Sequence, residues 1–112
     1  MTTLQIANEG TTEYLAVAFE TKDGIAAVPV SVTYRIDCIT SGQQIRDSTV
    51  ASPLAASMEI KLTPSDNAII APGASTVFEN RRVTVKAVLG DGDVVTDEYL
   101  YTVKSLPKLS EV

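Results

Sequence analysis

Over most of the chain apolar and polar positions alternate with a period of two, the mark of strands with one buried face. In RRVTVKAVLGDGDVVTDEYLYTV, Arg81 to Val103, the residues Val83, Val85, Ala87 and Leu89 alternate with Arg82, Thr84 and Lys86. Beyond Gly90-Asp91-Gly92, Val95, Tyr99, Tyr101 and Val103 alternate with Val94, Thr96, Glu98, Leu100 and Thr102. The stretch reads as the central hairpin, and its turn sets which residues face the core. A two-residue Asp91-Gly92 loop would place Lys86 opposite Asp97 but turn Glu98 toward the Val85 side, burying a carboxylate without a partner. A three-residue loop with Gly92 left-handed in a G1 bulge keeps Val95, Tyr99, Tyr101 and Val103 on the apolar side and misplaces only Asp97. The three-residue loop is therefore expected.

Further segments repeat the pattern. Leu15, Val17 and Phe19 alternate with Ala16, Ala18 and Glu20 up to a turn at Lys22-Asp23-Gly24. Pro29 cannot donate to a ladder, so Ile25 to Val28 suits an edge or a strand beginning. Val30, Val32, Tyr34 and Ile36 then alternate with Ser31, Thr33, Arg35 and Asp37, and Thr40-Ser41-Gly42 closes that strand. Gln43 to Val50 carries Ile45 among polar residues and reads as a half-buried strand near an edge. After the Pro53-interrupted connection 51–57, Met58, Ile60 and Leu62 alternate with Glu59, Lys61 and Thr63. Thr63-Pro64-Ser65-Asp66-Asn67-Ala68 reads as a helical turn with Thr63 as cap and Pro64 at the first position, after which Ile69 and Ile70 would plug the end of the core. No long helical period competes. Strands with turn signals every 8 to 12 residues or so predict an all-β fold, an antiparallel two-sheet sandwich of about seven strands.

A chain of 112 residues fits one domain that needs neither metal nor disulfide to fold. Its single cysteine, Cys38, excludes an internal disulfide. Fourteen acidic against nine basic residues give a net charge of −5, and the basic ones are scattered, which argues against a nucleic-acid partner. There is neither a signal-peptide pattern nor an apolar run of membrane-spanning length, so synthesis in the cytoplasm and no membrane partner are expected.

The segments PVSVTYRID, QQIRD, IKLTPSDNAII, RRVTVKAV and VTDEYLYTV together resemble small immunoglobulin-like or fibronectin-III-like domains. More narrowly, they resemble the short single-domain proteins of this kind encoded among the structural genes of tailed bacteriophages. The resemblance covers residues 12–106, leaving 1–11 as a polar arm or edge strand and 107–112 as a tail. LTPSDNAII occupies the place before the penultimate strand where such domains often carry an Asp-x-Ala turn, here Asp66-Asn67-Ala68. The tryptophan and cysteine pair of antibody domains are missing. The resemblance implies an immunoglobulin-like sandwich with no catalytic residues, made in the host cytoplasm and carried in the virion. Its expected role is that of a non-enzymatic structural or accessory protein acting through contacts with other virion proteins. The different-class alternative is a bacterial surface or carbohydrate-binding adhesion module, which the lack of tryptophan disfavours.

Candidate chemistry is sparse. The chain has no histidine, which removes Ser-His-Asp and Cys-His mechanisms and the commonest zinc ligand. Cys38, without an imidazole partner, reads as a small, partly buried residue at a strand end. Asp91, Asp93, Asp97 and Glu98 invite a calcium reading, but Asp and Gly are what a tight turn needs anyway, so no metal or other cofactor is expected. Arg81, Arg82 and Lys86 form a small basic spot, read as the solvated face of a strand. Val88, Val94 and Leu100 are apolar on the outer face of the hairpin, and they are the candidate interface. Open strand edges are a second means of contact, through a strand added by a partner or through self-association around a ring.

Overall fold

The computed structural model describes residues 5–68 and 78–104. Seven strands run in the order β1 (Gln5–Asn8), β2 (Glu13–Ala18), β3 (Ser31–Cys38), β4 (Gln44–Val50), β5 (Ser57–Leu62), β6 (Phe78–Val88) and β7 (Val94–Lys104). They form a five-stranded sheet, β1-β7-β6-β3-β4, and a two-stranded sheet, β2-β5. The fold is an all-β two-sheet sandwich. Leu15, Val17 and Phe19 with Met58, Ile60 and Leu62 from the small sheet pack against Val32, Tyr34, Ile36, Val83, Val85, Ala87, Tyr101 and Val103 of the large one.

The central hairpin takes the three-residue loop. Leu89 donates its N–H to the Asp93 carbonyl at 2.8 Å, Gly92 donates to the Leu89 carbonyl at 2.9 Å, and Gly92 has φ 92°. Lys86 consequently faces Thr96, and Val85 faces Asp97. Val85 is buried, Tyr99 packs on the core and Lys86 is exposed. The same device recurs between Thr21 and Ile25, closed at 2.8 Å, where Gly24 has φ 79°. Cys38 and Gln43 close a loop one residue longer at 2.7 Å, with Gly42 at φ 76°.

The helical turn is a single turn held by reciprocal caps. The Thr63 N–H donates to the Asp66 carboxylate at 2.8 Å, and the Asp66 N–H donates to the Thr63 hydroxyl at 3.2 Å. The expected plug at Ile69 and Ile70 and the tail 107–112 lie outside the described residues.

Three expectations need correction. The large sheet is not wholly antiparallel, because β1 lies parallel to β7, with Gln5 beside Tyr101 and Asn8 beside Lys104. Within the 1–11 segment, residues 5–8 are therefore an edge strand of the sandwich itself, with Ala7 buried and Ile6 64% exposed. Val30 does not continue the buried face of β3 but is 60% exposed. Buried Pro29 precedes it, and the alternation begins only at Ser31, because a residue without an N–H cannot extend the ladder. Finally, Cys38 is fully rather than partly buried, at the end of β3.

Candidate functional site

The outer face of the large sheet carries the candidate interface. Its side chains come from the even positions of β6 and β7 and the odd positions of β3, since a strand alternates its faces. Val88 and Val94 stand directly opposite each other beside the hairpin turn. Leu100 stands opposite Arg82, six residues farther along β7 than Val94, a separation of about 20 Å at the rise of a strand. The structure thus puts the three on one face but joins only Val88 to Val94.

Polar and charged rows fill the interval. Thr96 faces Lys86 and Glu98 faces Thr84. Asp37 accepts from Arg35 at 2.9 Å and lies 3.6 Å from Arg82, whose Nε is 3.9 Å from Glu98. The hydrogen bond to Asp37 raises the Arg35 guanidinium above its ordinary pKa. These pairs hold the middle of the face in a nearly neutral lattice of charges.

Arg81 is not part of a surface basic spot: it is completely buried, and that expectation is overturned. Counting back by twos from Val83 puts Arg81 and Glu79 on the core face, and the structure keeps them there. The guanidinium donates to the Asp66 carbonyl at 2.6 Å, the Ala68 carbonyl at 2.7 Å and the Glu79 carboxylate at 2.6 Å. Around it, Tyr101 donates its hydroxyl to the Asn67 side-chain oxygen at 2.9 Å, and the Asn67 amide donates to the Thr11 carbonyl at 2.6 Å. Arg46 of β4 clasps the Asp66 carboxylate from outside at 2.9 and 3.2 Å. That hydrogen bond lifts the Arg46 pKa against the opposing effect of burial. Burial pushes the Tyr101 hydroxyl up to about 12. The network ties the helical turn to β4, β6, β7 and the approach to β2, closing one end of the sandwich. The i, i+2 pair Glu79 and Arg81, in phase with the core valines, was the signal in the sequence that could have revealed it.

No protein-family model, no curated protein and no solved structure matches this chain.

The remaining candidates are absorbed by local structure. At the hairpin tip the Asp91 carboxylate accepts the Asp93 N–H at 3.0 Å, and the Asp97 carboxylate accepts the Glu98 N–H at 2.9 Å. Opposite parity sends Asp97 inward and Glu98 outward, so the four acids do not converge, and no three potential metal ligands gather among the described residues. Tyr99, raised by burial and then by Asp97, packs against the core. The edge of β4 is blunted by its own side chains. Asp47 accepts the Ser48 N–H at 2.7 Å, and the Thr49 hydroxyl donates to the Asp47 carbonyl at 2.8 Å.

Proposed function

We propose that the chain is an immunoglobulin-like, non-enzymatic contact module, a structural or accessory component of a bacteriophage particle. One observation carries this reading: the allocation of polar chemistry. The side chains best suited to chemistry, Arg81, Glu79, Asp66, Asn67 and Tyr101, are committed to backbone carbonyls and to one another. At the surface, the Val88–Val94 pair, Leu100 and the strand edges left open among the described residues offer the chemistry of contact. The strand order supports the immunoglobulin-like part of the reading, since β3 and β4 of one sheet are followed by β5 in the other before β6 returns beside β3. The adhesion alternative gains less, because the exposed aromatics Tyr14 and Phe78 belong to different sheets and make no common stacking platform for a sugar ring.

The test is incorporation. The doubly substituted Val88→Asp, Leu100→Asp protein should keep its far-ultraviolet spectrum, because both side chains point away from the core, and should be recovered from purified particles at a reduced level. Unchanged recovery would remove this face as the contact. Absence of the unsubstituted protein from every particle preparation would end the particle assignment.

A further inference from the structure

The small sheet has only two strands, and the outer edge of β5 is unpaired among the described residues. Phe19 donates to the Ala56 carbonyl at 2.8 Å, and the register continues through Val17 opposite Met58 and Leu15 opposite Ile60. In an antiparallel ladder alternate residues point their backbone groups to opposite sides, so Met58, Ile60 and Leu62 bond toward β2. Ser57, Glu59 and Lys61 therefore aim both N–H and carbonyl away from β2, into the open edge. The run ends at Thr63, whose N–H is taken by Asp66.

Beneath that edge lies a groove lined by Tyr34, Val50, Ala51, Glu59, Ile60 and Lys61. Ala51, Ile60 and Tyr34 give that groove its apolar lining, since Val50, opposite Thr33, carries its side chain on the outer face of the large sheet. Glu59 and Lys61, both exposed, stand opposite Ala16 and Tyr14 of β2 and have no charged partner across the ladder. Backbone, groove and charges all face one strand position that no described residue fills.

We infer that this position takes a single extended segment of another polypeptide, added antiparallel to β5. The segment carries a basic residue opposite Glu59, an acidic residue opposite Lys61 and an apolar residue opposite Ile60, turned toward the groove. A lone strand fits because Tyr34 and Ala51 of the large sheet already line the groove beneath the edge. A second copy of the chain would bring its own five-stranded sheet to that space. The inference rests on the contact-module reading and specifies the partner's conformation and chemistry.

The probe is the synthetic peptide Thr-Val-Glu-Val-Lys-Val-Thr, which sets Glu against Lys61 and Lys against Glu59 when antiparallel. Added to the full chain, it should slow amide hydrogen exchange at Ser57, Glu59 and Lys61 by about tenfold or more and leave the β4 amides unchanged. Glu59→Pro deletes one N–H aimed at the open edge while sparing every bond to β2, so it should keep the fold and lose the protection. The double exchange Glu59→Lys, Lys61→Glu leaves net charge and backbone unaltered. It should weaken binding of this peptide and restore binding of the peptide with Glu and Lys interchanged. Protection appearing on another edge, or charge-exchanged protein that does not change its peptide preference, would overturn the inference. So would a dimer in sedimentation that Glu59→Pro abolishes, since a second copy would then hold the edge. Normal recovery of Glu59→Pro in particles would sink the strand addition while leaving the contact-module reading intact, whereas absence of the unsubstituted protein from every particle preparation would end the particle assignment whatever the peptide result.

Discussion

Arg81 shows how much one buried side chain can carry. Its guanidinium answers two carbonyls of the helical turn and the Glu79 carboxylate, and Arg81 itself is fully buried. Arg81→Met would fill similar volume but leave a buried carboxylate and two carbonyls short of a donor, a loss of about 3–5 kcal/mol by the usual cost of breaking a buried pair. Chemical denaturation should show this as a large drop in midpoint. Arg81→Lys should rescue little, because one ammonium cannot reproduce the planar fork that reaches all three acceptors. Tyr101 supplies a pH test at the same end of the molecule. Its folded pKa of about 12 lies above the unfolded value near 10. The folded state therefore holds its proton more tightly. The contribution to stability is complete below pH ~10 and is lost as pH rises toward about 12. Tyr101→Phe should flatten that segment of the stability–pH curve, read from thermal melts between pH 9 and 12 or thereabouts.

At the scale of elements, three hairpin connections close on a glycine with positive φ: Gly24, Gly42 and Gly92. A Cβ at any of the three would meet no atom within 4 Å, so the demand is purely conformational. Gly92→Ala should cost about 1–2 kcal/mol, the penalty of a left-handed L-residue, and Gly92→Asn distinctly less, because asparagine tolerates that region. Equilibrium unfolding of the two variants orders them. A cost for alanine no larger than that for asparagine would mean that the loop changes type when the glycine is replaced. Register depends on this loop, since a slip of one residue would carry Glu98 to the core face and Tyr99 to solvent. The faces of β2, β3, β5, β6 and β7 were legible in the sequence because side-chain alternation is a local rule. The exposure of Val30 was not, since the place where a ladder stops depends on the neighbouring strand as well as on Pro29.

For the whole molecule, β3 lies between β6 and β4 and ends at Cys38, which is 1% exposed. Its thiol should react with a bulky disulfide reagent only through global opening, at a rate that follows denaturant in parallel with unfolding. Reaction in native buffer at the rate of a free thiol would show that the β3–β4 corner opens by itself. By itself the sequence determined the all-β class, the strand faces, the three-residue hairpin loop and the Thr63 cap, because each follows from side-chain period and turn chemistry over a few neighbouring residues. Only the tertiary structure decided that β1 runs parallel to β7, that Arg81 is fully buried while Arg82 is half-buried, and that Val88 and Val94 meet far from Leu100. It alone left the outer edge of β5 open among the described residues, above a groove lined by Tyr34 and Ala51. The physical reason is that a polar group can be buried only where distant residues supply its partners. The carbonyls that hold Arg81, like the β5 edge left open among the described residues, are set by how the two sheets are assembled and not by the residues beside them in the chain.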